Sequence, residues 1–248
     1  MEVGWAVTAA RQDSTPDYSV AVLSGDGAND YVRYMRTDAL LALQRVPEEM
    51  VHRDELLFQT VHQSTELWLK HACFELHEAT RLVGAGCLDE AARLIARASL
   101  GMELITGQLE MMTHLSPWAF QTIRPALGHG SGLESPGWRS MRRAGKALGA
   151  AFTGRIAELG VDLVELYRQG LDTPLYRLAE AMVECDERIA LWRTRHYKVA
   201  IRVIGHRTPG TKGTPADALV GLIDHKFFPE LWGVRTALAD AGPLGATR

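Results

Sequence analysis

The sequence predicts an all-α fold, a single-domain helical bundle, on three observations. Strand signals are nearly absent: no run of alternating β-branched residues is closed by a hairpin turn. Apolar residues instead recur at three-, four- and seven-residue intervals over long stretches, the period of one buried helix face. Gly/Pro-rich segments fall between these stretches and punctuate them. The chain has 248 residues, 46% hydrophobic and 23% charged, which suits a packed core and excludes a wholly disordered chain.

Residues 1–29 mix Ser, Asp, Gly and Thr with short apolar pieces and read as a flexible N-terminal arm ending at Ser24-Gly25-Asp26-Gly27. Asn29 or Asp30 can cap a helix running through Gln44, with Tyr34, Leu40 and Leu41 among its apolar positions. A longer helix is expected over 54–84, where Leu57, Val61, Trp68, Ala72, Leu76 and Val83 share one stripe and Gly84 and Gly86 stop it. Another runs from Asp89 to about Met112. Residues 113–140 change character: Pro117, Pro125 and Pro136 alternate with Gly128, Gly130 and Gly132, giving a short helix and then a loop. Helical patterning resumes over 140–169 and again over 173–203. A second Gly/Pro/Thr loop, 205–216, leads to a short helix near Asp217 and a compact end at Phe227-Phe228-Pro229-Glu230-Leu231-Trp232. The helical domain is expected to span 30–238, with 239–248 a frayed tail.

Charge and composition narrow the function. Lys plus Arg is 27 and Asp plus Glu is 30, a formal charge of −3, so general nucleic-acid binding is not expected. No apolar run approaches the ~18 residues of a membrane span, and the N-terminus lacks a basic-then-apolar leader. A cytoplasmic protein is expected, without a membrane partner. Cys73, Cys87 and Cys185 cannot all pair within one chain and read as small buried thiols in a reducing compartment.

Two glycine loops invite nucleotide readings and fail them. Gly128-His129-Gly130-Ser131-Gly132 has neither a preceding strand nor the dinucleotide spacing, and Gly210-Thr211-Lys212 lacks the order a phosphate loop needs. Among nine histidines none forms a chelating motif. His62 follows Phe58 by one helical turn, which puts ring and imidazole on the same face. His196 closes Trp192-Arg193-Thr194-Arg195-His196 late in a long helix. A lone helix histidine is more often a satisfied core residue, and spacing by itself cannot identify a haem. Arg124, between Phe120 and Pro125, fits either a surface position or a bidentate carboxylate clamp. Thr211 fits ordinary turn chemistry or a hydroxyl offered to a ligand.

Together these residues form four ordered blocks. Tyr31-x-x-Tyr34-Met35 is followed by Leu40, Leu41 and Gln44. Glu55-Leu56-Leu57-Phe58-x-x-x-His62-Gln63-x-x-Glu66-Leu67-Trp68-x-Lys70 comes next. Met112-Thr113-x-Leu115-x-Pro117-x-x-Phe120-x-x-x-Arg124 leads to Ser131-Gly132. The last block is Trp192-Arg193-x-Arg195-His196, Ile204-Gly205, Gly210-Thr211 and the Phe227–Trp232 end. This set resembles the tryptophan 2,3-dioxygenase family through most of the chain. The resemblance implies an all-helical protein enclosing haem b, usually a homo-tetramer, that uses O2 as co-substrate. It implies that His196 is the axial iron ligand and that His62 meets the indole N–H by positioning and hydrogen bonding. It makes Phe58 and Phe120 pocket walls, Arg124 the carboxylate clamp, and Thr211 the partner of the substrate ammonium. Tyr31, Tyr34 and Met35 match positions that close the pocket of a neighbouring subunit.

Two segments depart from the family pattern. The loop after the threonine, usually of Gly-Gly-Ser-Ser-Gly type, reads Lys212-Gly213-Thr214-Pro215-Ala216, and a usual Phe-Gln-Ser reads Leu133-Glu134-Ser135. Pro215 removes a backbone donor and Lys212 adds a charge. Two outcomes stay open for tryptophan or a substituted tryptophan: O2 insertion across indole C2–C3 to an N-formylkynurenine-type product, or single-oxygen insertion to a hydroxylated or oxindole product in specialised metabolism. A third reading, a non-enzymatic haem or gas sensor, would not need Phe58, Arg124 and Thr211 together.

Overall fold

Four long helices carry the burial that the sequence pattern calls for. The computed structural model describes residues 17–213 and 215–242, so positions 1–16 of the expected arm and 243–248 of the expected tail lie outside the described residues. The chain divides into two compact units, one up to Val46 and one from Pro47. The first contains α1 (Asp30–Met35) and α2 (Thr37–Leu41), neither with a buried residue. The second contains α3 (Glu55–Ala85), α4 (Leu88–Met112), α5 (Pro117–Ile123), α6 (Pro136–Leu159), α7 (Leu163–Gln169), α8 (Pro174–Ile204), α9 (Val220–Ile223) and α10 (Pro229–Ala241). The all-α class holds. Among the described residues the only extended pairing is an isolated bridge between Pro209 and Pro215. No described helix is long and apolar enough to cross a membrane.

In the second unit α3 packs on α4 and α6, and α4 packs on α8. The α3 stripe reads Val61, Leu69, Ala72, Leu76, Ala79 and Val83, at three-, four- and eight-residue steps. From Leu69 onward it meets Ile95, Met102 and Ile105 of α4, Met141, Leu148 and Phe152 of α6, and Leu178 and Met182 of α8 in one cluster. Full burial of one such side chain contributes about 1.5–3 kcal/mol. A second cluster sits at one end of these helices: Val61, Leu109, Met112, Leu115, Ala119, Ile123, Val199 and Val203, with Phe58 and Phe120 packed against it. The fold thus sets the two expected pocket rings on a rigid apolar base.

Helix ends follow capping chemistry. Gly86 takes φ +80 and closes α3, as its expected stop. Ser116, Ser135 and Thr173 cap α5, α6 and α8, each followed by proline at the first turn. Three expectations need correction. The single helix from Asn29 to Gln44 is broken: Asn29 does cap α1, but Arg36 adopts φ +52 and restarts the chain as α2. A short helix that buries nothing has no tertiary support against such a break. The patterned stretch 140–169 is two helices, because Gly160 at φ +61 ends α6 and Asp162 caps α7. Cys73 and Cys185 are buried as expected, but Cys87 is exposed, just before α4.

The chain end is held by one acid. Asp186, buried within α8, accepts hydrogen bonds at Oδ2 from the backbone N–H of Phe227 (2.9 Å) and Phe228 (3.3 Å) and from Trp232 Nε1 (2.9 Å). Phe227 lies over Gly145 of α6, where any Cβ would collide with the ring.

Candidate functional site

α3 presents Phe58 and His62 on one face, as the four-residue spacing requires. Their rings stack at 4.1 Å between centroids, and Phe120 of α5 stands 6.0 Å from Phe58. His62 Nδ1 lies 2.7 Å from the Phe58 carbonyl oxygen. A carbonyl only accepts, so in the neutral ring Nδ1 carries the proton and Nε2 is left as a bare acceptor. That tautomer can receive an indole N–H. The His62 pKa lies below its ordinary value, because burial outweighs the Phe58 hydrogen bond and the Glu66 charge that favour protonation.

His196 lies two turns from the end of α8. Its ring stacks on Trp192 at 4.8 Å, nearly parallel at 7°, and Trp192 in turn packs on Trp138. Burial, together with repulsion from His62, lowers its pKa to about 4. His196 is therefore a neutral imidazole at pH 7, and a charge on His62 of α3 would oppose its protonation further. Both rings retain accessible surface while the surrounding protein desolvates them.

Arg124 and Thr211 come from the two Gly/Pro loops, and the structure brings those loops together. Arg124 Nη2 donates to the Pro209 carbonyl, and Thr211 Oγ1 donates to the Gly130 carbonyl. A third link joins Lys212 Nζ to Glu134. One Arg124 contact leaves most of the guanidinium fork for an anion. Phe58, His62, Phe120, Arg124, Thr211 and His196 all belong to the unit from Pro47. Tyr31, Tyr34 and Met35 belong to the other unit, where all three are exposed on α1.

Residues 17–150, more than half of the chain, match the sequence pattern of tryptophan 2,3-dioxygenase. The chain belongs to the tryptophan 2,3-dioxygenase family. Similar proteins include the tryptophan 2,3-dioxygenase of Caulobacter vibrioides, 28% identical over 260 residues, covering 84% of this chain and 98% of that protein. That of Bacillus cereus is 28% identical over 84% of this chain and 92% of its own length. That of Myxococcus xanthus is 26% identical over 88% and 92%. Tryptophan 2,3-dioxygenases are haem-dependent, O2-using oxidoreductases.

The residues present fit that cofactor. Among the described residues no group of three or more His, Cys, Asp or Glu side chains is gathered to cage a metal ion. What α8 offers is a single neutral imidazole, the protonation state that ligates iron, backed by a flat indole that fixes its plane. Beside it Trp192 Nε1 is buried without a hydrogen-bond partner, a donor left over for a group the chain does not supply.

Sequence reasoning missed several supporting residues. Glu66 accepts from Ser135 Oγ and from the Gly137 N–H (2.8 Å), tying the start of α6 to the helix that carries His62. Gln108 donates to Thr65 Oγ1 at 2.6 Å and accepts from Ser64 at 2.8 Å, bracing α4 against the same helix. Asp186 is the third. Its only signal in the sequence is an acid inside an otherwise apolar stripe between Cys185 and Ile189.

Proposed function

We propose that this chain is a haem-dependent oxygenase that inserts O2 across the indole C2–C3 bond of L-tryptophan or a substituted tryptophan, giving an N-formylkynurenine-type product. The observation that carries this reading is the stacked Phe58–His62 pair with Phe120 beside it, His196 close enough to feel a charge on His62, and Arg124 and Thr211 on two loops joined by hydrogen bonds. Haem b held by His196 would supply the ferrous centre that activates O2.

The chain's own residues do the rest. Arg124 pairs with the substrate carboxylate through its planar fork, and Thr211 offers its hydroxyl oxygen to the ammonium. Holding both ends of the amino-acid backbone fixes where the indole lies. Phe58 and Phe120 flank the indole and exclude water. His62, neutral and open at Nε2, accepts the indole N–H and orients the ring; that N–H is too weakly acidic to require a general base. Tyr31, Tyr34 and Met35 are proposed to cover the pocket of a neighbouring copy in a homo-oligomer.

A second reading, single-oxygen insertion into tryptophan or a modified tryptophan, is favoured by one observation: the turn that carries Thr211 departs from the family pattern at Lys212 and Pro215. Aerobic turnover of the reduced protein under 18O2 separates the two by product mass. Two labelled oxygens are expected, and one would favour the second reading. Tryptamine, which lacks the carboxylate, should turn over at least about 30-fold less efficiently than tryptophan, since losing one partner of a desolvated charge pair costs about 2–5 kcal/mol. Equal efficiency would remove Arg124 as the clamp.

A further inference from the structure

The two places where this chain departs from the family pattern meet each other. Glu134 ends the short turn Gly132–Glu134, and its Oε2 accepts the Ser131 N–H at 3.1 Å, completing a capping box. Its Oε1 accepts from Lys212 Nζ. Lys212 is not on a free-swinging loop. The Gly213 N–H donates to the Gly210 carbonyl at 3.0 Å, so Thr211 and Lys212 are the two central residues of a closed turn, with Gly213 following at φ +77. Fixing the Lys212 side chain therefore fixes the residue next to it. Thr211 donates its hydroxyl proton to the Gly130 carbonyl and keeps oxygen lone pairs with which to accept from a ligand. The Lys212–Glu134 pair is a second link across the same two segments.

We propose that Lys212 and Glu134 are a positioning pair for substrate, an ion-paired latch that keeps the Thr211 turn seated on residues 130–134 while the Thr211 hydroxyl oxygen accepts from the substrate's ammonium and Arg124 exchanges the Pro209 carbonyl for the substrate's carboxylate. The inference rests on the proposed contacts of Thr211 and Arg124 with an amino-acid backbone. The Lys212 ammonium and the Ser131 N–H, with a smaller contribution from Arg139, hold the Glu134 carboxyl below its ordinary range. Both side chains are about half exposed, at 45% for Lys212 and 49% for Glu134, so the pair is salt-sensitive and of modest strength.

The test uses Lys212→Met, Glu134→Gln, their combination and Lys212→Arg. Gln keeps an oxygen for the Ser131 N–H, so the capping box survives. Each single loss should raise the tryptophan KM about two- to fivefold, with the loss falling on KM rather than kcat. The double variant should be no worse than either single one, and Lys212→Arg should stay near the parent. The parent's advantage should shrink in high salt. In the substrate-free protein, the Gly213 amide should exchange hydrogen faster in both single variants by the same factor. Unchanged KM and exchange in the single variants, or additive losses in the double, would overturn the latch. If no indole turns over at all, the functional reading fails instead, and the exchange arm still decides whether the pair holds the turn.

Discussion

At the scale of single residues, the protonation states of two imidazoles organise the site. His62 must give its Nδ1 proton to the Phe58 carbonyl, which commits Nε2 to accepting. His196 is held neutral by burial, and its plane is set by Trp192. His196→Ala should lower haem affinity by about 10- to 100-fold or more, since loss of a mere outer partner of a metal ligand already costs that much. His62→Ala should keep its haem. Haem-to-protein ratio after gel filtration, with helicity as the folding control, checks both, and a His196→Ala protein that keeps stoichiometric haem and an unchanged spectrum would end the assignment. The Phe58–His62 pair was legible in the sequence because helical spacing alone makes it. Asp186 was not. Its partners at Phe227, Phe228 and Trp232 lie about forty residues away, and only the packed fold brings three N–H groups to one carboxylate oxygen.

At the scale of elements, glycines in α6 show how packing overrides propensity. A glycine inside a helix is ordinarily about 0.5–1 kcal/mol worse than alanine. Gly154 is in open space, so Gly154→Ala should stabilise the protein by about that amount. Gly145 lies under the Phe227 ring, with no room for a Cβ. Gly145→Ala should instead destabilise by about 1–3 kcal/mol as overpacking displaces the ring that Asp186 anchors. Opposite shifts in thermal midpoint for two identical substitutions in one helix are the expected result, and shifts of the same sign would show that Phe227 does not press on α6. Element-scale structure was otherwise readable wherever burial has a helical period: α3, α4 and α8 fall within a residue or two of their expected ends. It was less readable where a single backbone conformation decides. Arg36 splits α1 from α2 with a side chain that gives no hint of φ +52, and Gly160 ends α6 where apolar patterning simply continues.

At the scale of the whole molecule, Tyr31, Tyr34 and Met35 pose the remaining problem. Two aromatics and a methionine crowd one short helix, all exposed, in a unit where neither helix buries a residue. Exposed apolar side chains on so small an element are unfavourable unless something covers them. A closed exchange of identical elements between copies would do so and would complete each pocket at the same time. Because α1 contributes nothing buried, deleting residues 1–35 should leave the helical unit from Pro47 folded and able to load haem, yet inactive. Arg124→Ala should be inactive for a separate reason, loss of the proposed carboxylate clamp. When the two proteins are mixed under conditions that let subunits exchange, a pocket works only if its body keeps Arg124 and its neighbour keeps the arm. In an equal mixture that is roughly one site in four. Recovery of activity toward that fraction is the expected outcome, followed by steady-state turnover with subunit exchange shown by native mass spectrometry. Exchange without any recovery, in fully haem-loaded protein, would mean that each chain closes its own pocket.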